Sequence, residues 1–325
     1  MGVGQRGKTM KATVLSVVAA TVISATSAFA ADMPVKAPKV AVVATPSPWD
    51  IAFGAAIMSD YVWRGVTQSG HKPSVAAYFE PRYNFNSNLQ AYVGLSGESI
   101  KFANNAAAEI DFYGGIRPTI GPVAFDFGFW YYYYPGGTCY VGNAACPSAI
   151  PNGNVAKADA SFYEVYGKAT YTIGDFALGA NEYYSPNFLN TGAWGNYASG
   201  TLKYTAPDKL AIGPLGWYVS GEFGRQWLGT SDAFYGVPAF PNGVDYKDYN
   251  TWNVGVGFTY KVFTLDLRYS DTDMNKGDCN AFTSDPGASG TSNVTPNNPG
   301  GAGSNWCGAT FIAKLSADLT LGSLK

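Results

Sequence analysis

Residues 123–133 read Val-Ala-Phe-Asp-Phe-Gly-Phe-Trp-Tyr-Tyr-Tyr, with Val123, Phe125, Phe127 and Phe129 on one parity and Ala124, Asp126 and Gly128 on the other. A period of two belongs to a β-strand, whose successive side chains leave opposite faces. One face here is all bulky apolar groups and the other carries a charge. A soluble sandwich strand would alternate as well, so the stretch alone does not say whether its phenylalanines meet a protein core or a lipid. The spacing of its neighbours says more: a tight Ile120-Gly121-Pro122 turn precedes it, and a long gap, 134–160, comes after it.

Working outward from this segment, the same pattern recurs in twelve candidate strands, at 49–58, 74–84, 89–98, 109–119, 123–133, 161–172, 176–184, 196–205, 215–225, 249–260, 263–270 and 309–319. Each is near the ~9–11 residues that a tilted strand needs to cross the hydrocarbon of a bilayer. The connections alternate. Those at 85–88, 120–122, 173–175, 206–214 and near Lys261 are short and follow even-numbered strands. Those at 59–73, 99–108, 134–160, 185–195, 226–248 and 271–308 are long and follow odd-numbered ones. A sandwich has no reason for such one-sidedness, whereas an outer-membrane barrel has short periplasmic turns and long outer loops. Aromatic residues also gather at strand ends, as in Tyr131 to Tyr134, Tyr183-Tyr184 and Trp227, where a headgroup girdle would lie. The expected fold is therefore all-β: a closed antiparallel transmembrane β-barrel of about twelve strands in an up-and-down meander, covering 49–325.

Two segments fit less cleanly. In 176–184 the apolar parity of Phe176, Leu178 and Ala180 runs into Glu182, which implies a bulge or an end beyond the hydrocarbon, because a carboxylate facing lipid is costly. In 161–172 the faces are nearly balanced, Val165, Ala169 and Tyr171 against Glu164, Tyr166 and Lys168.

The N-terminus reads as an export signal with cleavage after Ala30: Lys8 and Lys11, an apolar run from Ala12 to Ile23, then Ala28-Phe29-Ala30. Residues 31–48, rich in Pro, Ala and Val, read as a periplasmic linker. Export and barrel together predict the outer membrane of a Gram-negative bacterium, with its lipids as the surrounding partner. A net charge of −2, from 21 Lys and Arg against 23 Asp and Glu, provides no basic field for nucleic acid.

The ionisable residues of the polar parity form the candidate pore lining: Glu80, Arg82, Glu98, Glu109, Asp111, Arg117, Asp126, Glu164, Lys168, Lys203, Glu222, Asp266, Arg268 and Lys314. Inside a barrel such groups either brace the wall by pairing with one another or form selective rings around a wet path. Acids outnumber bases in this row, which leans toward cations if the acids are not all paired.

The four cysteines, Cys139, Cys146, Cys279 and Cys307, follow an export signal and so read as disulfides. The two pairings within single loops need the least loop closure, but three connectivities are open. No CxxC or Cys/His cluster suggests a metal, and no cofactor is expected. His71 with Asp60 could activate a water or serine at the rim, but no nucleophile motif accompanies the pair, so the expectation is a solvated loop histidine and no enzyme. Gly255 and Gly257 form part of a GxGxxG pattern inside a strand and read as small inward residues that make room in the lumen. The Ser/Gly/Asn/Pro-rich stretch 278–305 offers a packed core almost nothing, and could plug the lumen, bind outside or stay solvated.

At SDYVWRGVTQ (59–68), EIDFYGGIRP (109–118), YYYYPG (131–136), YEVYG (163–167) and YYSPNF (183–188) the chain resembles the TorF-type family of porin-like exported proteins, the first segment being the most specific. The cysteine-bearing loops depart from that pattern as insertions. The resemblance implies an outer-membrane barrel with passive transport of small hydrophilic solutes. The alternative is a structural or surface-interaction barrel with a filled lumen and working loops.

Overall fold

A computed structural model describes residues 48–141 and 155–324. The expected export signal at 1–30, the linker at 31–48 apart from Pro48, and Cys146 lie outside the described residues.

Twelve strands form the wall: β1 (Trp49–Met58), β2 (Ser74–Asn86), β3 (Leu89–Glu98), β4 (Glu109–Ile120), β5 (Val123–Tyr133), β6 (Phe162–Ile173), β7 (Phe176–Ser185), β8 (Gly195–Thr205), β9 (Gly216–Leu228), β10 (Tyr249–Tyr260), β11 (Phe263–Thr272) and β12 (Thr310–Thr320). Each pairs antiparallel with its sequence neighbours, and β12 returns to β1 from Ala52 opposite Thr320 to Met58 opposite Lys314. The sheet is closed and leaves no edge, so the main-chain groups of the wall are bonded along its ladders.

The parity of the sequence is the parity of the wall. Phe127, Phe129, Val254 and Phe311 are 47, 44, 53 and 80% exposed on the outer face, while Asp126, Trp130 and Tyr132 of the same β5 strand are buried inside. A large exposed apolar surface on a well-formed fold is a surface made for a non-aqueous neighbour. In β6 the balanced faces sort as Glu164, Tyr166 and Lys168 inward with Val165 and Tyr171 outward.

At Glu182 one of the two expected alternatives is removed, and two strands are longer than expected. No bulge occurs at Glu182: it stands opposite Gly167 and Ala198 in unbroken register, outward and three positions from the loop end of β7. The cost of that carboxylate is limited by its height on the wall, since charged residues on a barrel's lipid face cost less toward the interface. Strands β9 and β11 also run on to Leu228 and Thr272, beyond the expected 225 and 270. Their extra residues Gln226, Leu228 and Thr272 are buried, because chain packed within the barrel covers them there.

Inside, large side chains lie over glycines of the next strand. A Cβ on Gly257 would come within 2.0 Å of the Tyr218 ring, and one on Gly255 would crowd the Leu267 carbonyl and Arg268. Both glycines make room in the lumen, as their position within a strand suggested.

Because Phe127 sits mid-wall, opposite Ile116 and Gly167, F127R places a cation on the apolar belt. We expect a loss of about 2–4 kcal/mol in denaturant titrations of the barrel refolded into lipid vesicles, and a much smaller effect from F127L.

Candidate functional site

The segment between β1 and β2 does not stay outside. Val62–Trp63 and Val66–Thr67 pair as a miniature hairpin, with Trp63 opposite Val66, and the two residues between them turn the chain. Arg64 and Gly65 have φ of 48° and 78°. Positive φ at both central residues is the type I′ condition that suits a two-residue hairpin, and in an arginine it is uncommon enough to point to a role. The tip is wedged in place: a Cβ on Gly65 would come within 2.3 Å of the Thr272 side chain and 2.5 Å of Thr251 Oγ1, both on the wall.

From this tip the Arg64 guanidinium reaches the opposite wall. Nη1 and Nη2 each donate to a separate oxygen of Glu164 at 2.8 Å, and Nη1 also donates to Gln226 Oε1 at 3.1 Å. Tyr132 donates to the same carboxylate at 3.1 Å. The guanidinium lies 4.1 Å from the Trp63 ring centroid and 4.5 Å from that of Tyr197. Arg64 is 8% exposed and Glu164 0%. A fork-to-fork pair shielded from water and flanked by rings is a strong, orienting contact. Trp63 stacks on Phe188 at 5.7 Å, and Phe188 stacks in turn on Phe282. Phe282 belongs to helix α1 (Lys276–Thr283), so part of the long loop after β11 lies over the plug.

Below the plug the polar row is knitted together. Glu80 accepts from Arg82 Nε at 2.5 Å and Arg117 Nη1 at 2.8 Å; Arg117 Nε donates to Asp126 at 3.2 Å and lies over the Tyr92 ring. Across the lumen, Asp266 accepts from Arg268 Nε and Nη2 at 3.0 Å and from the Tyr218 hydroxyl at 2.7 Å. Glu222 accepts from Tyr197, Lys203 lies over the Tyr218 ring, Lys168 lies over Tyr166, and Lys314 stands opposite Asp266. All fourteen residues of the expected lining therefore face inward. Glu80, Arg82, Glu98, Glu109, Asp111, Arg117, Asp126, Glu164, Lys168, Asp266, Arg268 and Lys314 are buried, and only Lys203 and Glu222 are partly exposed. An open water-filled bore would leave them wet; in this conformation Glu80, Asp126, Glu164 and Asp266 are instead paired with arginines. The lean toward cations rested on unpaired acids, and the arginines remove it for Glu80, Asp126, Glu164 and Asp266.

Arg64 was invisible to strand parity, because it lies in a connection. A signal did exist: Tyr61, Val62, Trp63 and Val66 are too apolar for a solvated loop, and a residue followed by glycine between short apolar pairs is a hairpin turn.

Asp60 and His71 do meet. Asp60 accepts from His71 Nδ1 at 2.7 Å and from the Ser69 hydroxyl at 2.9 Å, while His71 Nε2 donates to the Asn305 carbonyl at 3.1 Å. With a carboxylate at one ring nitrogen and a carbonyl at the other, the site favours the doubly protonated ring. Such a ring clasps two loops, with Nε2 on a main-chain carbonyl and not on a nucleophile. Cys279 bonds Cys307 within the longer loop. Cys139 is disulfide-bonded too, with Cys146 outside the described residues.

The hydrogen bond that His71 donates to Asp60 raises the His71 pKa above its usual 6.5, against an opposing effect of partial burial. A raised folded value means that the clasp contributes fully below the unfolded pKa and is lost as pH rises through the folded one. Amide exchange across residues 66–72 should therefore quicken as pH rises above about 6.5, beyond the intrinsic pH dependence seen in a peptide of that segment. In H71A the excess should vanish.

Residues 43–179 match the model of a family described as bacterial proteins of unknown function (Gcw_chp). That span contains four of the five segments on which the TorF-type resemblance rests; 183–188 lies beyond it. No curated protein matches the chain. Among solved structures, the NanC porin aligns at 9% identity and a TM-score of 0.41, covering 83% of this chain and 100% of its own. LpxR from Salmonella typhimurium aligns at 9% and 0.36, covering 83 and 99%. Outer-membrane-expressed OmpT of Vibrio cholerae aligns at 11% and 0.35, covering 86 and 100%. At such identities and scores these likenesses carry no chemistry to this chain, whose chemistry is that of its own wall, plug and lining.

Proposed function

We propose that the protein is an outer-membrane, porin-like barrel that is closed at rest by its first loop, and that small hydrophilic solutes pass when that loop withdraws. The observation that carries the reading is the doubly bonded Arg64–Glu164 pair, which fastens a hairpin across the lumen. The outward apolar belt and the expected export signal support insertion into the outer membrane of a Gram-negative cell. The ionisable interior supports an aqueous path, since a permanently packed lumen is served as well by apolar residues.

A tie made by one residue of a loop can be released without disturbing the wall. The wall is held by ladders and by its own ion pairs, none of which includes Arg64. Removing one partner of a buried pair costs about 3–5 kcal/mol, because the other charge is left without a counter-ion. That is enough to change the occupancy of a closed state from nearly complete to minor. Once the hairpin leaves, the paired rows of Glu80, Arg117, Asp126, Asp266 and Arg268 would line the path. Their near balance of charge predicts weak selectivity between cations and anions.

The second reading is a barrel whose lumen stays filled and whose loops act at the surface. The stack of Trp63, Phe188 and Phe282 together with the Cys279–Cys307 bridge favours it, since these order the outer layer independently of any passage.

Single-channel recording in planar bilayers distinguishes them. We expect long closed periods for the unaltered protein, and a raised open probability for R64A and, more mildly, for E164Q. Should R64A and a chain with residues 61–70 replaced by a short Gly/Ser linker both insert yet pass no current and no solute, the filled-lumen reading stands and the channel reading falls.

A further inference from the structure

Three carboxylates converge at the loop end of the lumen. β3 ends on Glu98 and β4 begins at Glu109; the register sets these two directly opposite and places Asp111 opposite Ser96. All three face inward, at 3, 2 and 0% exposure. One oxygen from each lies within 4.8 Å of one from each of the others. Two glutamates facing each other across a pair of strands repel, and burial adds the cost of desolvating them.

Elsewhere in this lumen such a cost is offset by arginine, at Glu80, Asp126, Glu164 and Asp266. Here, among the described residues, no salt bridge reaches Glu98, Glu109 or Asp111. Glu109 accepts from the Tyr61 hydroxyl at 2.9 Å and the Tyr134 hydroxyl at 3.4 Å, and Asp111 accepts from Ser96 at 3.0 Å. That leaves Glu98 Oε2 and Asp111 Oδ1 buried with no hydrogen-bond partner. The Trp130 indole N–H is buried and unpaired as well, so no hydrogen bond of normal geometry joins it to Asp111. Unsatisfied buried acceptors in an acid cluster without a basic neighbour call for a positive charge that the chain itself does not supply, either shared protons or a cation from outside.

We propose that Glu98, Glu109 and Asp111 form a binding site for a hard divalent cation, Ca²⁺ by preference. The donors are all oxygen, which disfavours zinc and copper. The oxygens lie within 4.8 Å of one another, and an ion that takes its ligands at about 2.3–2.6 Å in flexible geometry tolerates a set fixed by strand register more readily than Mg²⁺, which demands a near-ideal octahedron. Tyr61 ties the site to the plug. It opens the segment that ends in Arg64, and its hydroxyl rests on Glu109, so the ion would fasten the root of the plug to the β3–β4 wall. The site stands on these contacts whether or not the barrel conducts.

The test uses the full barrel in detergent, stripped with chelator and returned to either Ca²⁺ or chelator, and reads metal content and the thermal midpoint. We expect about one retained Ca²⁺ per chain and a higher midpoint with Ca²⁺. D111N and E98Q should each weaken the retained binding at least tenfold and abolish the Ca²⁺-dependent shift. In chelator both should melt at or above the unaltered protein, because repulsion among the acids is relieved. E182Q, on the outer face, should keep the full shift. Equal midpoints in Ca²⁺ and chelator with no retained metal overturn the proposal, as does a shift that survives undiminished in D111N and E98Q. Should D111N fail to fold, E98Q and the metal content of the unaltered chain still decide.

Discussion

A cylinder of paired backbone with oil on one side and charge on the other sets every other feature of this protein. Closing β12 onto β1 removes the last sheet edge, and only then can an outer face bearing Phe127, Val254 and Phe311 be presented to lipid without unpaired amides. The same alternation drives the opposite parity inward, where water is scarce. Charges placed there must find partners or a ligand, and the geometry of the lumen follows from that requirement.

Two solutions to that requirement coexist with one cluster that the chain's own bases leave unpaired. Arginines of the wall itself, on the same strand or one or two strands away, neutralise Glu80, Asp126 and Asp266, so bracing and charge balance are one arrangement. Glu164 is neutralised instead by Arg64, an arginine carried in by a loop, so that a local charge balance also ties that loop to the wall. Among the described residues no basic side chain bridges the trio at the end of β3 and the start of β4, which lies beside the root of that same loop. Closure and the acid cluster are thus physically adjacent through Tyr61.

The loops add a second layer of order. His71 joins the plug segment to Asn305, the disulfide closes the chain between Cys279 and Cys307, and the stacked rings of Trp63, Phe188 and Phe282 fill the space between. Stretch 278–305 has few apolar residues, and its order rests on this disulfide, on helix α1 and on amide contacts such as Asn280 with Asn298. It lies over the plug as a cover, and the hairpin within the lumen comes from the first loop.

Period and spacing along the chain were enough to settle the wall: twelve alternating segments, the side each residue faces, and the alternation of short turns and long loops. These are local properties, so even the fourteen inward charges were legible by parity. Cysteine bonding was legible as a class, while the choice of Cys307 for Cys279 belongs to the folded loop. Which inward charges meet is likewise a property of the folded barrel. Arg64 and Glu164 are far apart in the chain and joined by a loop fold that parity does not describe. The meeting of Glu98, Glu109 and Asp111 depends on a register fixed by the whole sheet. Whether an inward charge is paired within the wall, paired with a loop or left without a basic partner turns on which side chains come within reach across and along the lumen, and that is set only when the barrel closes.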